Sequence, residues 1–125
     1  KEVYMKNWLE ELYQDDIAED IKKNYLELLR SGKTNDEAIE VLLRWYHEFI
    51  IYDEEGELFW YVLADTQWRY GRLDLKVKEK ALRHIESNTI LNPWHENPNW
   101  PKVLQELKKE ITSPMPKEKK IDGVQ

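Results

Sequence analysis

The sequence predicts an all-α protein, an antiparallel bundle of about five or six helices, from three observations. Apolar residues recur at spacings of three and four through most of the chain, which is the period of a helix with one buried face. Clusters of Asn, Asp, Gly and Pro separate these periodic segments as turns. No segment shows the strict alternation typical of a half-buried strand. Residues 1–113 are expected to form the bundle, and residues 114–125, which lack an apolar period, a linker-like tail.

Two helices are expected in the first part of the chain, over residues 4–13 and 16–30. In both, the apolar side chains fall on one side at helical spacing. Asp16 and Glu19 stand in the pattern of a capping box, in which the Asp side chain accepts one free backbone N–H and the Glu reaches back to another. Gly32 suits the end of the second helix.

A third helix is predicted over residues 35–52, and a second capping box at Thr34 and Glu37 opens it. Its apolar arc is wide and its polar face is narrow, which predicts burial on more than one side. The residues of this arc are Ala38, Val41, Leu42, Trp45, Tyr46, Phe49 and Tyr52.

A central helix over residues 58–70 is expected to be the most buried element, because its apolar residues point in nearly every direction. Asp74 can cap a fifth helix over residues 75–87. Two Asn-Pro pairs mark residues 88–99 as a loop, and Pro101 fits the first turn of a sixth helix.

The central helix carries three polar residues that we interpret as structural. Asp65 and Arg69 are four residues apart, so their side chains can meet as an ion pair. Gln67 falls in the middle of the apolar arc, where its amide needs partners because an unpaired buried polar group costs about 1–3 kcal/mol. A structural hydrogen bond inside the bundle is favoured over ligand recognition.

No pattern in the sequence points to a metal, a cofactor or catalysis. The chain has no Cys, which excludes disulfides, a zinc ribbon and a thiol nucleophile and favours a cytoplasmic setting. His47, His84 and His95 lack the spacings of zinc and di-iron sites, and the acidic turn after residue 52 lacks the Gly and Glu positions of an EF-hand loop. The chain also has no Gly-x-Ser-x-Gly turn and no apolar run of about 20 residues to span a membrane. The sequence therefore predicts a protein that is not an enzyme and holds no metal.

The charge is unevenly distributed along the chain. Residues 1–70 contain 8 Lys and Arg against 17 Asp and Glu, a net −9, whereas residues 71–125 contain 11 against 8, a net +3. An acidic body repels nucleic-acid phosphates and attracts a basic protein. Trp94, in the predicted loop, either pins that loop onto the bundle or belongs to a partner-binding patch. The other predicted docking face is the acidic turn, for which an ordinary solvated turn is the alternative; its residues are Asp53, Glu54, Glu55 and Glu57.

A small-molecule or nucleic-acid binding module is the alternative function. Lys76, Lys80 and Arg83 share a face of the fifth predicted helix, and Arg72 stands just before it. Such a stripe can bind phosphate. Acidic residues are interleaved with it and no Gly-rich loop or aromatic platform accompanies it, so an ordinary solvated face is favoured.

The run at residues 58–73, LFWYVLADTQWRYGRL, with Val77-Lys78 and Ala81-Leu82 after it, resembles a helical domain of uncharacterised bacterial proteins. Some of those proteins are grouped near toxin-immunity proteins. The resemblance extends over residues 34–120 and is strongest in the Trp/Gln/Trp/Gly/Arg core. It implies a bacterial cytoplasmic setting and a small β-rich domain, missing from this chain, after the Ser-Pro-x-Pro stretch at residues 113–116. It implies no activity and no functional residues, so the leading hypothesis is a non-catalytic protein-interaction domain, of immunity type.

Overall fold

The computed structural model describes residues 7–91 and 95–121 of the 125-residue chain. These residues are all-α, as predicted, and contain no strand. No helix among them is both long and apolar enough to cross a membrane. A 3₁₀ helix and six α-helices follow one another along the described residues: Trp8–Gln14 (3₁₀), Asp16–Arg30 (α1), Asn35–Trp45 (α2), His47–Tyr52 (α3), Leu58–Arg69 (α4), Leu75–Leu91 (α5) and Trp100–Ile111 (α6).

The start of α1 differs from the predicted capping box. The N-cap residue is Asp15, which has an extended backbone and no side-chain cap, and Asp16 is already inside the helix. The reason is the preceding 3₁₀ helix, which runs to Gln14 and leaves only Asp15 between the two helices. The capping box at Asp16 and Glu19 is therefore wrong. The box at Thr34 and Glu37 is present in both directions, with the Glu37 N–H donating to Thr34 Oγ1 at 3.1 Å and the Thr34 N–H donating to Glu37 Oε1 at 2.9 Å.

The predicted third helix is broken into α2 and α3 at Tyr46. This residue leaves helical geometry, with φ −107° and ψ 17°. Its side chain is buried against α1, where the hydroxyl donates to Asp20 and accepts from Asn24 Nδ2 at 2.8 Å. These contacts bind the chain to α1 at the break. The prediction that residues 35–52 are buried on more than one side is wrong for their second part, because α3 contains no buried residue.

Helix α4 is the centre of the bundle, as predicted. Every residue from 58 to 67 is buried. The helix packs against α1, α5, α6 and the 3₁₀ helix, so each side of it meets a different neighbour. A helix enclosed in this way needs apolar side chains all round, which explains why its sequence shows no polar face.

Helices α5 and α6 begin where the sequence placed them. Asp74 Oδ1 accepts the Val77 N–H at 2.9 Å as an N-terminal cap of α5, and Pro101 lies in the first turn of α6. Helix α5 continues past its predicted end at residue 87 as far as Leu91. Residues 88–91 contain no Gly or Pro, so nothing in the sequence stops the helix before the first Asn-Pro pair.

Part of the C-terminal segment lies against the turn between α4 and α5. The Lys119 N–H donates to Tyr70 O at 2.9 Å, and Arg72 Nη2 donates to Lys119 O at 3.1 Å. Gly71 has a positive φ of 68°, and a Cβ atom there would lie 2.5 Å from Lys117 O. Gly71 therefore serves both the left-handed turn after α4 and the close approach of this segment.

Candidate functional site

The acidic turn between α3 and α4 separates its four carboxylates into an outer and an inner pair. Asp53 and Glu54 are exposed. Glu55 Oε1 lies 3.1 Å from His95 Nε2, and Glu57 Oε2 accepts from Asn88 Nδ2 at 3.0 Å. Burial raises the pKa of the Glu57 carboxyl. Within the described residues, the outer pair has no such contact with α5 or with the residues before α6.

Gly56 fixes the orientation of this turn. The residue is buried, and a Cβ atom on it would lie 2.5 Å from Ile50 O and 2.9 Å from Phe49 O. The turn backbone therefore packs directly on the end of α3. Asp53 Oδ1 accepts the Glu55 N–H at 2.8 Å and closes the outer side of the turn.

Helix α3 and the end of α2 present an apolar face to solvent. Trp45 is 59%, Ile51 56% and Tyr52 79% exposed. Glu48, which is also exposed, lies three and four residues before Ile51 and Tyr52 on α3, so these three side chains are neighbours on its surface. Trp45 is the last residue of α2, just before the break. We call the set Trp45, Glu48, Ile51 and Tyr52 the α3 surface.

The α3 surface was missed by sequence reasoning. A wide apolar arc was interpreted as deep burial, whereas α3 is a single short helix beyond the break at Tyr46 and lies at the margin of the bundle. The surroundings of this surface are acidic. The exposed acidic side chains of residues 33–54 are Asp36, Glu37, Glu40, Glu48, Asp53 and Glu54, against the exposed basic Lys33 and Arg44.

A pocket of about 530 Å³ opens on the inner side of the acidic turn, between the 3₁₀ helix and residues 95–100. The His95 ring stacks on Trp100 at 4.3 Å between centroids, and Asn97 Nδ2 donates to Glu11 Oε1 at 2.8 Å. Trp94, the other predicted partner-binding residue, lies outside the described residues. The pocket can accept a positively charged group because its lining includes the carboxylates of Glu11, Asp15, Glu55 and Glu96.

Gln67 is fully buried and joins α4 to its neighbours through its amide. Its Nε2 donates to Asn35 Oδ1 at 3.1 Å, and its Oε1 accepts the Asp74 N–H at 3.3 Å. Asn35 in turn accepts the Tyr25 hydroxyl and donates to Arg72 O at 3.0 Å. Gln67 is therefore buried and hydrogen-bonded inside the bundle, as its place in the apolar arc predicts. Sequence reasoning did not identify Asn35, whose only signal was a polar residue at a helix start.

Replacing Gln67 with leucine is expected to lower the free energy of unfolding by about 1–3 kcal/mol, because the Asp74 N–H loses its acceptor. Chemical denaturation followed by circular dichroism measures this change. Gln14→Leu, at an exposed position, serves as the control and should change stability by less than about 0.5 kcal/mol. A Gln67→Leu protein as stable as wild type would show that the amide contributes nothing to the bundle.

Asp65 lies in a second buried polar cluster. Its side chain is 1% exposed and accepts the Tyr13 hydroxyl at 2.5 Å and Arg69 Nε at 3.0 Å. Burial, with the Asp65 carboxylate as the next cause, raises the pKa of the Tyr13 phenol. Both Asp65 oxygens are occupied by protein groups, so this carboxylate has no free side to offer a substrate.

Glu110 joins the same cluster from α6 and was not predicted. Its Oε1 lies 3.9 Å from Arg69 Nη2, and its Oε2 is buried without a hydrogen-bond partner among the described residues. Burial and the Asp65 carboxylate raise the pKa of Glu110 to about 9. Burial and a neighbouring carboxylate both favour the neutral, protonated form of this carboxyl.

The basic stripe of α5 is divided by internal contacts. Lys80 Nζ lies 5.4 Å from the centre of the Trp60 ring. Arg72 Nη2 lies 3.4 Å from Glu118 Oε2 and also donates to the tail backbone. Lys76 and Arg83 remain exposed. Two of the four cations, Lys80 and Arg72, thus already contact other groups of the protein.

Within the described part of the chain, no three His, Asp or Glu side chains come together in a way that could hold a metal ion. No family model matches the chain, and neither the curated proteins nor the solved structures contain a match to it. The assignment of a small all-helical fold to the described residues rests on the structure alone.

Proposed function

We propose that this chain is a non-catalytic protein-interaction domain that binds a basic partner through the acidic side formed by α2, α3 and the following turn. The observation that carries the proposal is the exposed position of Asp53 and Glu54 beside the other exposed carboxylates of α2 and α3. The sequence resemblance adds a setting, the bacterial cytoplasm, and a type of partner, a basic toxin recognised by an immunity protein.

Attraction at long range is the physical basis of the proposal. A surface with a strong excess of one charge speeds the encounter with a partner of opposite charge without any catalytic group. The effect acts over about 10 Å at 0.1 M salt, so it weakens as salt is added. Exposed carboxylates fit this role because a partner can reach them at the surface, although Asp53 also accepts the Glu55 N–H.

The alternative, a phosphate-binding module on α5, is supported less. Of its four cations, Lys80 lies over Trp60 and Arg72 is paired with Glu118. Binding a phosphate there would compete with contacts that the protein already makes. An enzymatic role has less support still, because the protein itself occupies both oxygens of Asp65.

The proposal is tested by reversing the outer charges with Asp53→Lys and Glu54→Lys. Glu55 and Glu57 are left unchanged because they hold His95 and Asn88 in place. The partner is obtained by co-purification from the native host, and association is measured by stopped flow at low and high salt. We expect the double variant to associate about 10-fold more slowly in low salt and nearly as fast as wild type in high salt.

Glu79→Lys with Glu86→Lys is the matched control, since it makes the same charge change at two exposed positions of α5. This control should associate close to the wild-type rate. Equal rates for all three proteins in low salt, or a retained partner that is acidic or a nucleic acid, would overturn the proposed function.

A further inference from the structure

The α3 surface holds three of the most exposed large apolar side chains of the described residues, Trp45, Ile51 and Tyr52, within eight positions of the sequence. Single exposed apolar residues are common on proteins and need no explanation. A group that includes Trp and Tyr is different, because these residues are enriched where proteins bind one another and supply much of the binding energy there.

The fold itself gives no reason for this group to be apolar. Helix α3 has no buried residue, and its own attachment to the bundle relies on Tyr46 before it, Gly56 after it, and the half-buried Phe49 and Ile50. Trp45 and Tyr52 therefore leave most of their surface in solvent, 59% and 79% respectively.

The charge around the α3 surface indicates what can cover it. Exposed carboxylates outnumber exposed cations next to the apolar side chains in the chain, with Glu48 between them and Asp53 and Glu54 after α3, against Arg44 before Trp45. A second copy of this chain packed through the same surface would bring carboxylates against carboxylates, and an anionic membrane would be repelled in the same way. A protein with an apolar recess bordered by Lys and Arg would meet both features at once.

We propose that the α3 surface is the contact surface for a basic protein, with Tyr52 and Trp45 as aromatic anchors and the surrounding carboxylates paired with Lys or Arg of the partner. This inference rests on the proposed function and adds to it the place of contact. The acidic residues set the rate of encounter, and the two rings set the rate of dissociation.

Photo-crosslinking tests the place of contact. Tyr52→p-benzoylphenylalanine puts a reactive ketone on the α3 surface, and Leu75→p-benzoylphenylalanine puts the same group on a matched exposed position of α5, since Leu75 is 68% exposed. Each protein is irradiated with the partner recovered from the native host, and the joined peptides are identified by mass spectrometry. We expect a crosslink from position 52 and none from position 75, to a peptide with Lys or Arg near the joined residue.

Affinity measurements give the second readout. We expect Trp45→Ala and Tyr52→Ala each to weaken the Kd for the same partner by about 10-fold or more, and Leu75→Ala to change it by less than about 2-fold. Circular dichroism and thermal denaturation should show all three variants folded, because the replaced side chains are exposed.

The possible results separate the two proposals. If a basic partner binds but neither crosslinks at position 52 nor responds to Tyr52→Ala, the contact surface is wrong and the proposed function stands. A crosslink from position 52 to a second copy, or binding of wild type to phosphatidylglycerol vesicles that Tyr52→Ala abolishes, would also overturn the contact surface. If no basic protein binds to wild type, both proposals fail.

Discussion

Asp65→Asn is expected to lower the free energy of unfolding by about 2–3 kcal/mol, since a hydrogen bond to a charged group contributes about 1.5–3 kcal/mol. The amide keeps the shape of the side chain and removes its charge. One of its two ends must then face Arg69 or Tyr13 with an NH₂ group in place of an acceptor. The effect is smaller than for a fully buried ion pair because the Arg69 side chain is 42% exposed and can be solvated.

Equilibrium denaturation in urea measures this effect at neutral pH. Asp36→Asn is the control, because Asp36 is an exposed aspartate on α2, and it should change stability by less than about 0.5 kcal/mol. A loss for Asp65→Asn no greater than for the control would show that the buried cluster does not stabilise the contact of α4 with the 3₁₀ helix.

Glu110→Gln is expected to make the protein more stable than wild type at alkaline pH and about equally stable in mild acid. Glutamine keeps the shape and the polar end of the side chain and cannot ionise. Glu110 has a folded-state pKa of about 9, above the ordinary value of 4.5, so the folded protein holds a proton that the unfolded chain has lost between these two values. The stabilising contribution of the protonated carboxyl is thus fully present below pH 4.5 and is lost as the pH rises towards 9.

The measurement is the free energy of unfolding of both proteins at several pH values. The difference between the two free energies removes the contribution of other groups whose pKa values shift, such as Glu57, because both proteins contain them. From about pH 5 to pH 8, the difference should move in favour of Glu110→Gln by about 1–3 kcal/mol, below the linkage limit of about 1.36 kcal/mol per pH unit. Glu79→Gln, at an exposed position on another helix, is the control and should not reproduce this difference. A difference that does not vary with pH would mean that Glu110 is ionised in the folded protein.

The elements that local pattern dictates were predictable from the sequence. Apolar residues on every side of residues 58–70 identified α4 as the centre, and the Thr34–Glu37 spacing identified the start of α2. The burial of Gln67 followed from its place in the apolar arc. Each of these depends on residues within one or two helical turns of each other, which a sequence displays directly.

The features that depend on distant partners were not predictable. The break between α2 and α3 involves the bonds of Tyr46 to Asp20 and Asn24, more than 20 residues earlier in the chain. The pKa of Glu110 is raised because the packing of α6 on α4 buries its carboxyl and brings it close to Asp65. Nothing near either residue in the sequence distinguishes it from an ordinary helical position.

The acidic turn shows the same limit at the candidate site. Four carboxylates in five residues indicated a solvated or docking turn, and nothing in the sequence distinguished one of them from another. The structure assigns Glu55 and Glu57 to internal contacts because His95 and Asn88 come from distant segments to meet them. The exposed apolar face beside the turn depends on the same tertiary geometry.

The exposure of Trp45 gives the protein a natural fluorescent probe. Trp60 and Trp100 are buried and Trp8 and Trp68 are half-buried, whereas the indole of Trp45 is mostly in water. A collisional quencher such as acrylamide should therefore reach Trp45 before these other rings, and its emission lies at the red end of the spectrum. Anything that covers this indole will shift the emission to the blue and shield it from the quencher, so occupancy can be followed in unlabelled wild-type protein.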